Sequence, residues 1–172
     1  MRARGLVGLF AIFCLGAGAA DPVEMSVAAV LPVRGGGAAV VLVDSKQSKV
    51  LPIIVGGTEA LSINLRLAKE SAPRPLTHDL LESVVHELGG KVVRAQVDEI
   101  RGEAFIGSVF VQVAGGRVVR IDARPSDAIA LALGSSLPVF VARKVLDVAG
   151  VSPDALDEPK PAAPEPGRPG PI

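Results

Sequence analysis

The chain is predicted to fold as one α+β domain, a mixed or antiparallel sheet carrying about three helices. Three observations give this. Strand-like Val/Ile segments and amphipathic segments follow one another in mixed order, not in strict βα alternation. Glycine pairs punctuate them, and Gly115-Gly116 between two strand-like runs is a hairpin signal. A length of 172 residues is enough for one real core and too short for two comfortable ones.

Taken in order, Ser26–Val33 and Ala38–Asp44 read as strands around an Arg34-Gly35-Gly36-Gly37 turn, and Val50–Val55 as a third. Gly56-Gly57 ends that strand. Thr58 is expected to cap a helix from Glu59 to about Glu70, with Leu61, Leu65 and Ala68 on one stripe and Ile63 and Leu67 widening it. Pro73 and Pro75 cannot continue it.

A second helix is expected from Thr77 to Leu88, stopped by Gly89-Gly90. Leu80, Leu81, Val84, Val85 and Leu88 form an amphipathic face, which predicts that this helix buries them in the core. Lys91–Asp98 alternates Val93, Ala95 and Val97 against Arg94, Gln96 and Asp98, as a half-exposed strand does. Glu103–Val113 and Arg117–Asp122 flank the glycine pair. A two-residue turn there sets Val118, Arg120 and Asp122 on one face with Val109, Val111 and Val113, and Val119 and Ile121 with Ile106 and Phe110. Both faces then carry apolar residues, so either both are covered or one is an oligomer surface.

Ile121–Leu133 packs polar residues into a strand-to-helix turn. Pro125 suits the first helical position, Asp127 falls in the first turn, and Gly134 is expected to stop the helix in the left-handed conformation. Ala128, Ile129, Leu131, Ala132 and Leu133 leave no polar face, so the helix is expected to be buried. Pro138–Val141 is a last short strand and Arg143–Ala149 a short helix.

The ends have their own character. Residues 1–20 carry Arg2 and Arg4, an apolar run from Leu6 to Leu15 and a small-residue finish, the three-part pattern of a secretory signal peptide cleaved after Ala19 or Ala20. Phe13 before Cys14 argues against a lipid-anchoring cleavage site, so no stable membrane anchor is expected after processing. The expectation is a secreted or periplasmic protein, with residues 21–151 as the domain and 152–172 as a Pro-rich disordered tail. The mature chain would hold no cysteine, so its core must suffice. With Arg2 and Arg4 removed, 16 basic residues face 18 acidic ones. That excludes a global positive field for nucleic acid, and any phosphate site must be local.

Two stretches echo one another. Arg74-Pro75-Leu76-Thr77-His78-Asp79 and Arg124-Pro125-Ser126-Asp127 each give Arg-Pro, a hydroxyl and an aspartate at a helix start. Helix starts favour these residues in any case; Asp127 capping its own helix and Arg124 pairing with Asp122 is the plain account. The other account has two helix N-termini facing one cleft. Arg74, Thr77, Arg124 and Ser126 would then bind phosphate, and His78, Asp79, Asp122 and Asp127 would move protons or activate water. Asp122 and Asp127 would be the residues to hold a divalent metal such as Mg or Mn.

A zinc reading of His78, Glu82 and His86 fails, because residues eight apart on a helix lie about 12 Å apart along its axis. His86 is expected in solvent. Glu59 reads as a dipole-compensating residue. No P-loop, G-x-S-x-G elbow or nucleophilic cysteine is present.

At these residues the chain resembles the bifunctional nuclease domain family. The resemblance runs from about Leu51 to Gly150, on Leu51-Pro52-Ile53, Gly56, Glu59-Ala60, Pro73 to Leu81, Asp122 to Ala132 and Pro138 to Val141. It implies an α+β domain that self-associates as a homo-oligomer, with DNase and RNase activity and hence DNA or RNA as partner. It supplies no catalytic assignments, so the roles above rest on residue chemistry. Gly134 departs from the basic residue that members often carry there, and the leader would place this chain away from intracellular nucleic acid. Two functions therefore stand: an exported, metal-assisted nuclease, or a non-catalytic anion-binding or self-assembly module that keeps the fold.

Overall fold

The structure is a computed structural model that describes residues 21–157. The expected leader, residues 1–20, and the tail beyond 157 lie outside the described residues. Seven strands form one sheet in the order β3-β2-β1-β7-β4-β5-β6. They are β1 (Val23–Pro32), β2 (Ala38–Asp44), β3 (Val50–Val55), β4 (Lys91–Arg101), β5 (Ala104–Gln112), β6 (Val118–Ala123) and β7 (Val139–Val141). Only β4 and β7 pair in parallel; the other neighbours are antiparallel.

Four helices accompany the sheet: α1 (Gly57–Ala68), α2 (Thr77–Glu87), α3 (Pro125–Gly134) and α4 (Arg143–Ala149). The fold is thus the α+β class expected. A single helical turn, α5 (Asp154–Asp157), stands where the disordered tail was expected to begin, and Val151 bridges to Val50. Among the described residues no helix is long and apolar enough to cross a membrane.

The core lies between one sheet face and α1 and α3. Leu42, Leu51, Ile63 and Ile129 are fully buried, each worth about 1.5–3 kcal/mol by removal from water before chain entropy is counted. As its composition predicted, α3 has no wet face over Ala128–Ala132.

Five expectations are corrected, the last of them at Gly134. The hairpin closes through a three-residue turn, Ala114–Gly116, with Val113 N–H donating to Arg117 O, not through two residues. That slip of one flips every side chain: Ile121 pairs with Val109 and Val119 with Val111 on the helix side, while Asp122 pairs with Ser108 and Arg120 with Phe110 on the other. In β4, irregularities at Val93 and Asp98 make Val92, Ala95 and Val97 the buried set.

On α1 the N-cap is Gly56, without a side-chain cap, and the buried residues are Ala60, Ser62 and Ile63, leaving Leu61 half exposed. Further, α2 does not bury the face expected of it. Leu80, Leu81, Val84 and Leu88 are 60%, 43%, 45% and 78% exposed, and the buried residue is His78.

The helices are tied together by one cation. The Arg66 side chain, 9% exposed, donates from Nη2 to Asp79 at 2.6 Å and from Nη1 to Glu82 at 2.9 Å and to Ala130 O at 3.2 Å. It thereby joins α1, α2 and α3. Gly134 does not stop α3, since the left-handed residue is Ser136. Its bareness serves a close approach instead: a Cβ there would lie 1.7 Å from Arg66 Nη1 and 2.1 Å from Glu82 Oε1. The missing basic side chain at this position thus coincides with a guanidinium arriving from α1.

We predict that Gly134→Ala displaces Arg66 and costs about 1–3 kcal/mol of stability, as overpacking of a filled site does. Urea unfolding midpoints would show it; a midpoint equal to that of the unchanged protein would mean that Arg66 can step aside freely.

Candidate functional site

Three helix N-termini, of α1, α2 and α3, come together at one cleft of about 330 Å³ lined by Thr58, Glu59, Ser62, Thr77, His78, Arg124 and Asp127, with apolar side chains between them. Sequence explains the placement. Gly56-Gly57 ends β3 and opens α1, and Leu76 in extended conformation opens α2. Pro125 occupies the first position of α3 with Arg124 as N-cap. Gly107 on β5 lets that turn settle on the sheet, for a Cβ there would meet Gln96 O at 3.0 Å and Pro125 Cα at 3.4 Å.

The two echoing motifs meet directly. His78 Nε2 lies 3.0 Å from Asp127 Oδ1, and His78 Nδ1 lies 2.9 Å from Ser62 Oγ. An ionised carboxylate only accepts hydrogen bonds, so Nε2 carries the proton and donates it to Asp127. In the neutral ring Nδ1 then accepts from the Ser62 hydroxyl. The result is a chain Ser62 to His78 to Asp127, with His78 8% and Ser62 3% exposed.

Arg124 fixes the far end. Its Nε and Nη2 donate to Asp127 at 2.8 and 2.9 Å, and Nη1 pairs with Glu59 at 2.9 Å. Of its five N–H groups three are so engaged, and the side chain is 65% exposed. The remaining two have no hydrogen-bond partner among the described residues.

Burial works to raise the Asp127 pKa, but the hydrogen bonds from Arg124 and His78 together with their charges outweigh it and hold the carboxyl below its ordinary 3.8. The same hydrogen bond and charge from Asp127, aided by Glu59, push Arg124 above its ordinary value.

The other expected residues are placed differently. Asp79 is held within the protein: Oδ2 accepts from Leu76 N–H at 2.8 Å and Oδ1 from Arg66. Arg74 is exposed and makes no ion pair or side-chain hydrogen bond among the described residues. The echo is offset in helix terms, since Asp79 and Asp127 both sit three residues after their N-caps, Leu76 and Arg124. Arg74-Pro75 therefore precedes its helix by two residues more than Arg124-Pro125 does. Thr77 lines the cleft with Arg124, and Ser126, 7% exposed, lines an adjoining cleft with Glu59, Arg124 and Pro125.

Asp122 is corrected. It lies exposed on β6 in register with Ser108, on the sheet face away from α3, and Arg124 pairs with Asp127 and Glu59 instead of with it. The Asp122/Asp127 metal pair is therefore not assembled. Among the described residues no group of three or more His, Cys, Asp or Glu is arranged to hold a metal, and Glu59, Asp79 and Asp127 are each bonded to a guanidinium. His86 is in solvent, as expected. Ser62 and Arg66 carried no motif that spacing could flag; they stand one helical turn apart on α1, and only the fold brings them to His78 and Asp79.

We predict an acid-sensitive contribution from Asp127. Its folded pKa lies below the unfolded one, so its contribution is complete above the ordinary carboxyl range and is lost as pH falls through the folded value. Asp127→Asn should flatten the decline in urea midpoint between about pH 5 and about pH 2; parallel declines in both proteins would contradict the assignment.

Comparison with known proteins adds the following. Residues 40–154 match the model of the bifunctional nuclease domain. An uncharacterized protein of Mycobacterium tuberculosis is 33% identical over 116 residues, 67% of this chain and 68% of the relative. Bifunctional nuclease 1 of Oryza sativa subsp. japonica is 26% identical over 97 residues, 55% of this chain and 29% of the relative. The bifunctional nuclease of Oryza minuta matches to the same extent.

Proposed function

The chain belongs to the bifunctional nuclease domain family, and on that premise we propose that it hydrolyses phosphodiester bonds in DNA and/or RNA at the cleft where α1, α2 and α3 begin. The observation that carries this is the His78–Asp127 hydrogen bond of 3.0 Å, which puts a proton-moving imidazole beside an exposed arginine. In this reading the two free N–H groups of Arg124 take a phosphate oxygen. Asp127 orients the ring and balances the imidazolium formed when Nδ1 takes a proton. Thr77 and the helix N-termini add donors for the developing negative charge.

The described residues do not form a carboxylate cage for Mg or Mn, and the two carboxylates at the cleft, Glu59 and Asp127, are each paired with Arg124; the roles above belong to this chain's own side chains. Export through the leader-like residues 1–20 belongs to the same proposal.

The test is incubation of the protein with single-stranded DNA and RNA, with Mg²⁺ or Mn²⁺ and with chelator. We predict that His78→Ala and Asp127→Ala each lower the rate by about 10²–10⁴, and that Arg124→Ala weakens substrate binding. Cleavage that survives the His78 and Asp127 changes would place the activity elsewhere. Loss of cleavage with chelator would restore a metal to the reaction.

A second reading, self-assembly, is favoured by the exposed Leu80, Leu81, Val84 and Leu88 on α2, since a contiguous apolar stripe marks an interaction surface. In this reading the protein is a homo-oligomer. Sedimentation should give a species larger than one chain, and Leu80→Glu with Leu88→Glu should reduce it to the monomer. A monomer before substitution would remove this reading.

A further inference from the structure

We propose that the Ser62 hydroxyl is the attacking nucleophile of this cleft and forms a covalent phosphoseryl intermediate; the inference rests on the phosphodiester reading above and deepens it. A histidine that activates water needs a ring nitrogen free to take the water's proton. His78 has none free: Nε2 donates to Asp127 and Nδ1 receives from Ser62. Among the described residues, the hydroxyl bonded to this ring and placed to lose its proton to it is that of Ser62, 2.9 Å away.

The surroundings agree with that assignment. Ser62 lies inside α1, where serine is a weaker helix former than alanine, and it is 3% exposed. It nevertheless lines two clefts, one with Thr77 and Arg124 and one with Arg66 and Leu76. Ser62 thus borders the cleft that Arg124 also lines, with its hydroxyl on the Nδ1 side of the imidazole and Asp127 and Arg124 on the Nε2 side. The order hydroxyl, imidazole, carboxylate is that of a nucleophilic triad, with the two ring nitrogens exchanging their customary partners.

The step balances. Ser62 Oγ passes its proton to His78 Nδ1 and attacks phosphorus, the P–O bond to one ester oxygen breaks, and that oxygen leaves with the proton from His78 as an alcohol. Water then gives a proton to Nδ1 and attacks the phosphoseryl diester. The Ser62 oxygen leaves and takes the proton back, releasing a phosphomonoester.

The test uses bis(p-nitrophenyl) phosphate for turnover and a fluorophosphonate as a label, with intact mass and peptide mapping. We predict a burst of about one equivalent of p-nitrophenolate per chain ahead of steady turnover. An adduct should map to Ser62, and both should be absent in Ser62→Ala. Labelling of the unchanged protein decides the matter even should Ser62→Ala fail to fold. Turnover with no burst and no adduct would overturn the nucleophile and leave the nuclease reading. A label on Ser62 without any turnover would keep the nucleophile and remove the nuclease reading. A label on another residue, or neither label nor turnover, would overturn the proposal.

Discussion

The arrangement of the three helices depends on the buried Arg66 guanidinium. Taking such a cation out of water is costly, and the cost is offset only by good geometry with opposite charge. Asp79, Glu82 and the Ala130 carbonyl supply that geometry from two other helices, leaving only Nε without a partner. Ser62 and Arg66 are one turn apart on α1, and their partners His78 and Asp79 are adjacent on α2. The ion pair and the serine–histidine contact therefore stand or fall with the same relative position of two helices. A shift large enough to lose one loses both.

Much of the fold was legible in the sequence. β2, β3 and α4 have the bounds that their flanking glycines and the polar stretch after Asp44 implied, and α3 is as buried as its Ala/Leu composition required. What could not be read turned on single residues. Whether Gly115-Gly116 is a two-residue turn or part of a three-residue one decides which side of the sheet Asp122 faces, and both are compatible with the same letters. Of the site, His78, Thr77, Arg124, Ser126 and Asp127 were legible because helix starts advertise polar residues. Ser62 and Arg66 were not, because a serine and an arginine in mid-helix carry no local signal. The Arg-Pro echo misled by two residues, since it aligns letters and not helix caps.

The local charge balance bears on how a chain with no net positive charge could take an anion in the proposed reading. Each helix N-terminus contributes about half a positive charge, and three converge here. Glu59 and Asp127 oppose them, and Arg124 ties both carboxylates down. The carboxylates are thereby turned toward the guanidinium, whose two other N–H groups have no partner among the described residues. Without Arg124 the same cleft would present two uncompensated acids and repel a phosphate.

The rotation of α2 about its axis shows which force prevails. Hydrophobic patterning alone would turn Leu80, Leu81, Val84 and Leu88 inward, at about 1.5–3 kcal/mol for each side chain fully buried. The structure turns His78 inward instead, with Glu82 toward Arg66 and Val85 against the core; these three follow the i, i+4, i+7 spacing of one helix face. That orientation is tolerable because each polar group meets a partner already fixed elsewhere: Ser62, Asp127 and Arg66. Satisfied polar contacts at the inner face thus outrank the apolar stripe, which is left exposed on the single chain. The helix is thus held against its own hydrophobic preference by His78 on Ser62 and Asp127 and by Glu82 on Arg66, contacts that one inner face must make together.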